Sequence, residues 1–143
     1  MVKHGDHIFD PFMGTGTILG KAVDTFGANR LTGLELDPTA FMLSKKHLEG
    51  TQATLLNISF DKFNMNNMMA GTKIVSNVPF GTTFPQVPTE KLIEMVHKLP
   101  GSQKDATLLI SRNQAEKVGS SLRLQKKNVL VLGKQASILY GTY

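Results

Sequence analysis

Two short stretches hold residue types that can do chemistry on neighbouring ligands. In the first, Asp10-Pro11-Phe12-Met13-Gly14-Thr15-Gly16-Thr17, two glycines follow a carboxylate. Their missing Cβ atoms let the chain turn sharply and lie close against a ligand, as a bulkier residue would not. In the second, Ser76-Asn77-Val78-Pro79-Phe80-Gly81, a side-chain amide precedes a proline-stiffened loop and an aromatic ring. An exocyclic amine on a nucleobase is a poor nucleophile because its lone pair is delocalised into the ring. The Asn77 amide oxygen and the Val78 carbonyl can accept the two N–H bonds, orient the amine and make that lone pair more available to an electrophile. Phe80 adds a stacking face worth about 1–3 kcal/mol per base. A base entering such a pocket is unpaired or flipped from its stack.

Glu35 narrows what lies opposite. It falls 19 residues after Gly16, close to the spacing of about 20 at which a second strand offers a carboxylate to ribose hydroxyls. A nucleoside ligand follows. A dinucleotide calls for a further glycine three residues on, which opens the helix N-terminus to pyrophosphate. Leu19 holds that position, with Gly20 one residue out of register. Asp10 would repel a pyrophosphate and hold a cationic amino-acid moiety. S-adenosylmethionine, with an α-amino group, a sulfonium and no phosphate, therefore suits carboxylates at Asp10 and Glu35 better than a nicotinamide dinucleotide does. His4 and His7 are close in sequence, but no further ligands join them, so no metal site is expected.

The elements that would position these residues alternate in the manner of βα units. A strand near His7 to Phe9 meets the glycine turn. A helix from Thr17 to Phe26 carries Ile18, Leu19, Ala22, Val23 and Phe26 on one face, with Gly27 as its stop. A second strand spans Arg30 to Leu36, and Asp37-Pro38 opens a second helix as cap and first-turn residue. A third strand near Ala53 to Ser59 leads into the Met-rich N-M-N-N-M-M, read as one helical turn and a loop in which Met65, Met68 and Met69 pack. Lys73 to Ser76 is the fourth strand. Past Pro79, Pro85 and Pro88, Thr89 caps a helix running through Leu99, and Ala106 to Ser111 is the fifth strand. A helix near Gln114 to Leu122 precedes two last strands, Asn128 to Leu132 and Ser137 to Tyr140. Four residues between these two are too few for a parallel crossover, so they pair as a hairpin. The expected fold is α/β: a Rossmann-like, doubly wound, mostly parallel seven-stranded sheet with one antiparallel strand near the edge.

The 143 residues are 41% hydrophobic, enough for one domain with one core. The absence of Cys excludes disulfides, thiolate metal sites and thiol nucleophiles, and it suits a reducing cytoplasm. The longest aliphatic run, Val129-Leu130-Val131-Leu132, is far short of the ~20 residues of a membrane span. Sixteen Lys and Arg against eleven Asp and Glu give +5, a lean toward polyanions such as nucleic acid.

The stretches D-P-F-M-G-T-G-T, T-G-L-E-L-D and S-N-V-P-F-G, in this order, resemble the class I methyltransferases that modify exocyclic amines of nucleic-acid bases. The chain is most similar to the catalytic domains of THUMP-domain RNA guanosine methyltransferases. The likeness covers nearly its whole length, including G-K-Q-A-S-I-L-Y, which is similar to that family's last hairpin. The resemblance implies S-adenosylmethionine as cofactor. Its contacts would be Asp10, Pro11, Phe12, Gly14, Thr15, Gly16, Thr17, Glu35 and Leu36, with Ser59 where the family often has Asp for the adenine amine. Asn77, Val78, Pro79 and Phe80 would form the catalytic, base-side site. Gly81, Thr82 and Phe84, in a loop able to close over a base, and Arg112 after the fifth strand would meet substrate. The family commonly has two prolines or Asp-Pro-Pro-Tyr where this chain has Val78 and Phe80, which leaves both guanine and adenine open. The expected acceptor is a structured RNA, tRNA-like or other, ahead of DNA. The family's RNA-binding domain is absent from this chain, so a separate RNA-binding domain or partner subunit is expected to supply it. A non-catalytic cofactor-binding or partner module is the rival from another class.

Overall fold

The computed structural model describes residues 2–28, 30–80, 85–102 and 104–142. β1 (His7–Asp10) leads through the glycine turn into α1 (Thr17–Phe26), whose Leu19 and Ala22 are buried and which ends on left-handed Gly27. β2 (Arg30–Leu34) stops two residues before the predicted end, because the Glu35 carboxylate folds back onto backbone N–H groups. α2 (Pro38–His47) starts as its sequence demands, with Asp37 Oδ1 accepting from Ala40 N at 2.7 Å and Pro38 in the first turn. β3 (Ala53–Leu56) is also shorter than predicted: Asn57 leaves the ladder and donates its side-chain amide to the carbonyls of Glu35 and Leu36.

Where a βα unit places a helix, the Met-rich stretch forms two 3-10 turns, Phe60–Lys62 and Met65–Asn67. Met65 and Met68 fill the space a helix would occupy, both buried, while Met69 is exposed. β4 (Lys73–Asn77) follows, then α3 (Thr89–His97), for which Pro88 rather than Thr89 is the N-cap and makes no side-chain bond. β5 (Asp105–Ser111) runs directly into α4 (Arg112–Ser121), so Arg112 is helical. β6 (Gln125–Val131) and β7 (Lys134–Thr142) are longer than predicted and joined by two residues, not four. The ladder continues because Leu132 and Gly133 are both left-handed, φ 48° and 77°, which matches a two-residue hairpin turn to the strand twist. Glycine adopts that conformation freely, whereas leucine does so at a cost of about 1–2 kcal/mol.

The seven strands are ordered β3-β2-β1-β4-β5-β7-β6, parallel except for β7, which runs against both neighbours. β1 carries the logic of the two layers in adjacent residues. Ile8 packs with Leu19, Leu31 and Leu48 beneath α1 and α2, whereas Phe9 packs with Ile74, Leu92, Leu108 and Leu139 beneath α3 and α4. Each such fully buried side chain contributes about 1.5–3 kcal/mol. Gly33 on β2 makes this packing possible, since a Cβ there would come within 2.2 Å of Met13 Sδ and 2.8 Å of Leu19 Cδ1. His7 locks the opposite end, with Nε2 2.9 Å from Thr32 Oγ1 and Nδ1 3.1 Å from Thr72 Oγ1. Strand order reverses between β1 and β4, so the carboxyl ends of these two strands flank the crevice where open α/β sheets take ligands.

Candidate active site

β1 delivers Asp10 to the floor of this crevice with no exposed surface. Its Oδ1 accepts from Ser76 Oγ at 2.5 Å and from Phe12 N at 3.1 Å, tying β1 to β4 and to the start of the turn. Oδ2 is buried with no partner among the described residues. Burial raises the carboxyl from its ordinary 3.8 to about 7, against the Ser76 and Phe12 hydrogen bonds, with the Glu35 charge adding to the rise.

The glycine turn is stitched to the end of β2. Glu35 Oε2 accepts from Gly14 N at 2.8 Å and Oε1 accepts from Asp37 N at 2.7 Å, while Met13 N donates to Leu34 O at 3.0 Å. Gly14 and Gly16 are left-handed, φ 55° and 82°. A Cβ at Gly14 would meet only open space, whereas one at Gly16 would lie 3.0 Å from Leu48 Cδ1. The 3-10 turn after β3 is held beside them by the Phe12 and Phe60 rings, edge to face with centroids 5.1 Å apart.

On the other side, Asn77 is the last residue of β4, exposed, and its side chain finds no hydrogen-bond partner among the described residues. Val78 is buried and its N–H donates to Leu109 O at 2.9 Å, so the chain leaves β4 along a fixed path. Pro79 and Phe80 are partly exposed in the wall that follows. Gln114, buried on α4, anchors the returning chain through Nε2 to Val87 O at 2.7 Å and Thr89 Oγ1 at 3.2 Å.

One cavity of about 520 Å³ joins the two sides, within the size range of small-molecule sites. Pro11, Phe12, Gly14, Glu35, Leu36 and Ser59 line it, and so do Asn77, Val78, Pro79 and Phe80. Asp10, fully buried, stands outside its lining, as do Thr15, Gly16 and Thr17, with Gly16 against α2. Arg112 faces the hairpin, with Nη1 donating to Gln135 Oε1 at 3.0 Å. Gly81, Thr82 and Phe84 lie outside the described residues. Sequence reasoning missed Ile58 and Phe60, and the hairpin residues Val131, Leu132 and Lys134, all in the lining. For Leu132 a signal existed: a leucine beside Gly133 at a hairpin tip spends an apolar side chain where Asn or Asp is usual.

The strand order and the single reversed strand are those of the Rossmann-like methyltransferase fold that the matching solved structures share. No protein-family model matches the chain, and no curated protein matches it by sequence. Among solved structures, TrmN from Thermus thermophilus is 19% identical over 96% of this chain and 44% of its own length, with a TM-score of 0.68. A protein from Pyrococcus horikoshii provisionally named an RNA methyltransferase is 14% identical over 97% of this chain and 74% of its own, at 0.67. Magnesium protoporphyrin IX methyltransferase from Synechocystis, solved with its bound cofactor, is 11% identical over 97% and 70%, at 0.69. At these identities the likeness establishes the fold.

Proposed function

We propose that this chain transfers a methyl group from S-adenosylmethionine to an exocyclic amine of a nucleic-acid base, with guanine in RNA as the first choice. The observation that carries the reading is the Asn77 amide, without a partner among the described residues, on the wall of the same cavity that Gly14 and Glu35 line. The residues present fit the cofactor. Gly14 leaves open space where a side chain would intrude, and each Glu35 oxygen, after one backbone bond, has a lone pair left for a ribose hydroxyl. Leu36 and Ile58 offer apolar surface to a purine, and Ser59 a polar atom near it. Asp10 Oδ2, buried and without a partner among the described residues, gives the site a carboxyl oxygen with capacity for one more hydrogen bond.

When bound, S-adenosylmethionine supplies an electrophilic methyl on a sulfonium. The chain's own work is then positioning and exclusion of water. Asn77 and the Val78 carbonyl accept the amine's N–H bonds and aim its lone pair, Pro79 holds the loop stiff, and Phe80 stacks on the base. RNA with unstacked bases is the expected acceptor, since only a splayed base presents its amine to such a wall. The chain spans less than half of the length of TrmN, and an RNA-binding domain or partner subunit that presents the substrate is part of the proposal.

The test is methyl transfer from labelled S-adenosylmethionine to unmodified RNA pools and to DNA, followed by digestion to nucleosides. Label in guanosine is expected. Label in adenosine or deoxyadenosine would replace guanine with the adenine reading. No label in any nucleoside, with S-adenosylhomocysteine still bound, would overturn catalysis by this chain alone.

A further inference from the structure

The β6–β7 turn carries features that the fold does not need. Leu132 is 98% exposed and left-handed, so it loses both the benefit of burial and the conformation a branched side chain prefers. Asn, Asp or Gly would close the same two-residue turn without either penalty. The turn is not a remote surface, because Val131, Leu132 and Lys134 line the cavity that also holds Asn77 and Phe80. A second cation stands behind it: Arg112, at the start of α4, is tied to the hairpin through Gln135.

We propose that this turn grips the acceptor nucleic acid, with Leu132 packing against the face of a base next to the target and Lys134 and Arg112 meeting its phosphates. The inference rests on the methyltransferase reading of the cavity and extends it to an element that the glycine turn and Asn77 loop do not include. Withdrawing a base from its stack exposes the faces of its neighbours, and an aliphatic side chain held at the lip covers one of them. Strained residues persist where surrounding structure holds them, and such sites often serve a ligand. Here the long β6–β7 ladder, paired from Gln125 with Tyr140 to Val131 with Lys134, provides that hold. The flanking charges are positive, as a phosphate chain requires.

The experiment measures binding, so that it does not depend on turnover. The intact chain, saturated with S-adenosylhomocysteine, is titrated against a fluorescently labelled single-stranded RNA of mixed sequence. Leu132→Asn is the informative variant because Asn accepts the left-handed conformation, so its melting temperature should hold or rise. Its RNA affinity is expected to fall roughly tenfold, with affinity for S-adenosylhomocysteine unchanged. Lys134→Gln should weaken RNA binding and reduce the slope of log affinity against log salt by about one. Undiminished RNA binding by Leu132→Asn overturns the inference, as does a parent chain that binds no RNA. A parent that binds RNA, loses it on Leu132→Asn, yet labels no nucleoside would sustain the grip while sinking the proposed catalysis. Normal labelling by both proteins with equal RNA affinity would do the reverse.

Discussion

Around the glycine turn, the N–H groups of Phe12, Met13, Gly14 and Asp37 all find acceptors in Asp10, Leu34 or Glu35. The wall across the cavity is arranged differently: Asn77 is exposed and its amide has no partner among the described residues, Phe80 is partly exposed, and Leu132 stands almost wholly in solvent. One side is built before any ligand arrives, and the other waits for one. Preorganisation lowers the cost of ordering on binding, which favours a ligand that is the same in every turnover. Unspent hydrogen-bonding capacity and exposed apolar surface favour a second ligand that brings part of the order with it. Under the proposed function, the difference suits a constant cofactor on the Gly14 and Glu35 side and a macromolecular acceptor on the Asn77 side.

The largest expected effects come from breaking each side alone. Asn77→Ala should lower methyl transfer by about 100-fold or more, the scale on which misplacing a reacting group costs rate. Its dissociation constant for S-adenosylhomocysteine, read by calorimetry, should stay within a few fold. Glu35→Ala should do the opposite, weakening S-adenosylhomocysteine roughly 10- to 100-fold through loss of hydrogen bonds to a charged acceptor. If the two substitutions shift cofactor affinity equally, the cavity is not divided as described.

The same division governs what could be read in the sequence. The glycine turn, Glu35 and the Asn77 loop were legible because each depends on a local requirement: a backbone conformation, a strand-end carboxylate, a proline-stiffened exit. The sheet was legible for the same reason, down to its one reversed strand, since seven short apolar runs with helical segments between most of them leave few topologies. The ends of β2 and β3 were not. Glu35 and Asn57 continue an extended pattern in sequence, and only the tertiary bonds they make to Gly14, Asp37 and the Leu36 carbonyl pull them out of the ladder. Nor was Asp10 legible as a buried tie between strands, because its partner Ser76 lies 66 residues away. The hairpin's share of the cavity was hidden by an expected four-residue connection, which left Leu132 as an ordinary strand residue. Contacts set by distant partners leave no local mark.

Asp10 sharpens the comparison through pH. A carboxyl whose folded pKa lies above its unfolded value holds its proton more tightly when folded. Its contribution to stability is full below about pH 3.8 and is lost as pH rises through about 7. The wild type should therefore lose roughly 5 °C more of its melting temperature between pH 5 and pH 8 than Asp10→Asn does. His7, whose pKa burial lowers, acts in the opposite sense as pH falls, but it is present in both proteins and cancels in the difference. An identical pH response in the two would show that Asp10 is not held protonated beneath the floor.

The smallest effects separate the two glycines of the turn. Both are left-handed, so alanine at either strains the backbone by about 1–2 kcal/mol. At Gly16 the new methyl also meets Leu48 Cδ1 at 3.0 Å and Ser44 Cβ at 3.3 Å, and these neighbours must give by a few tenths of an ångström. Gly16→Ala should thus appear mainly as a lower melting temperature. At Gly14 there is no such neighbour, and the methyl enters a position that lines the cavity. Gly14→Ala should cost less stability and weaken S-adenosylhomocysteine several-fold, measured by thermal shift with and without ligand. Equal melting temperatures with ligand affinity untouched at Gly14 would mean that both glycines serve the fold, and that the preformed side of the cavity binds its ligand from further along β2.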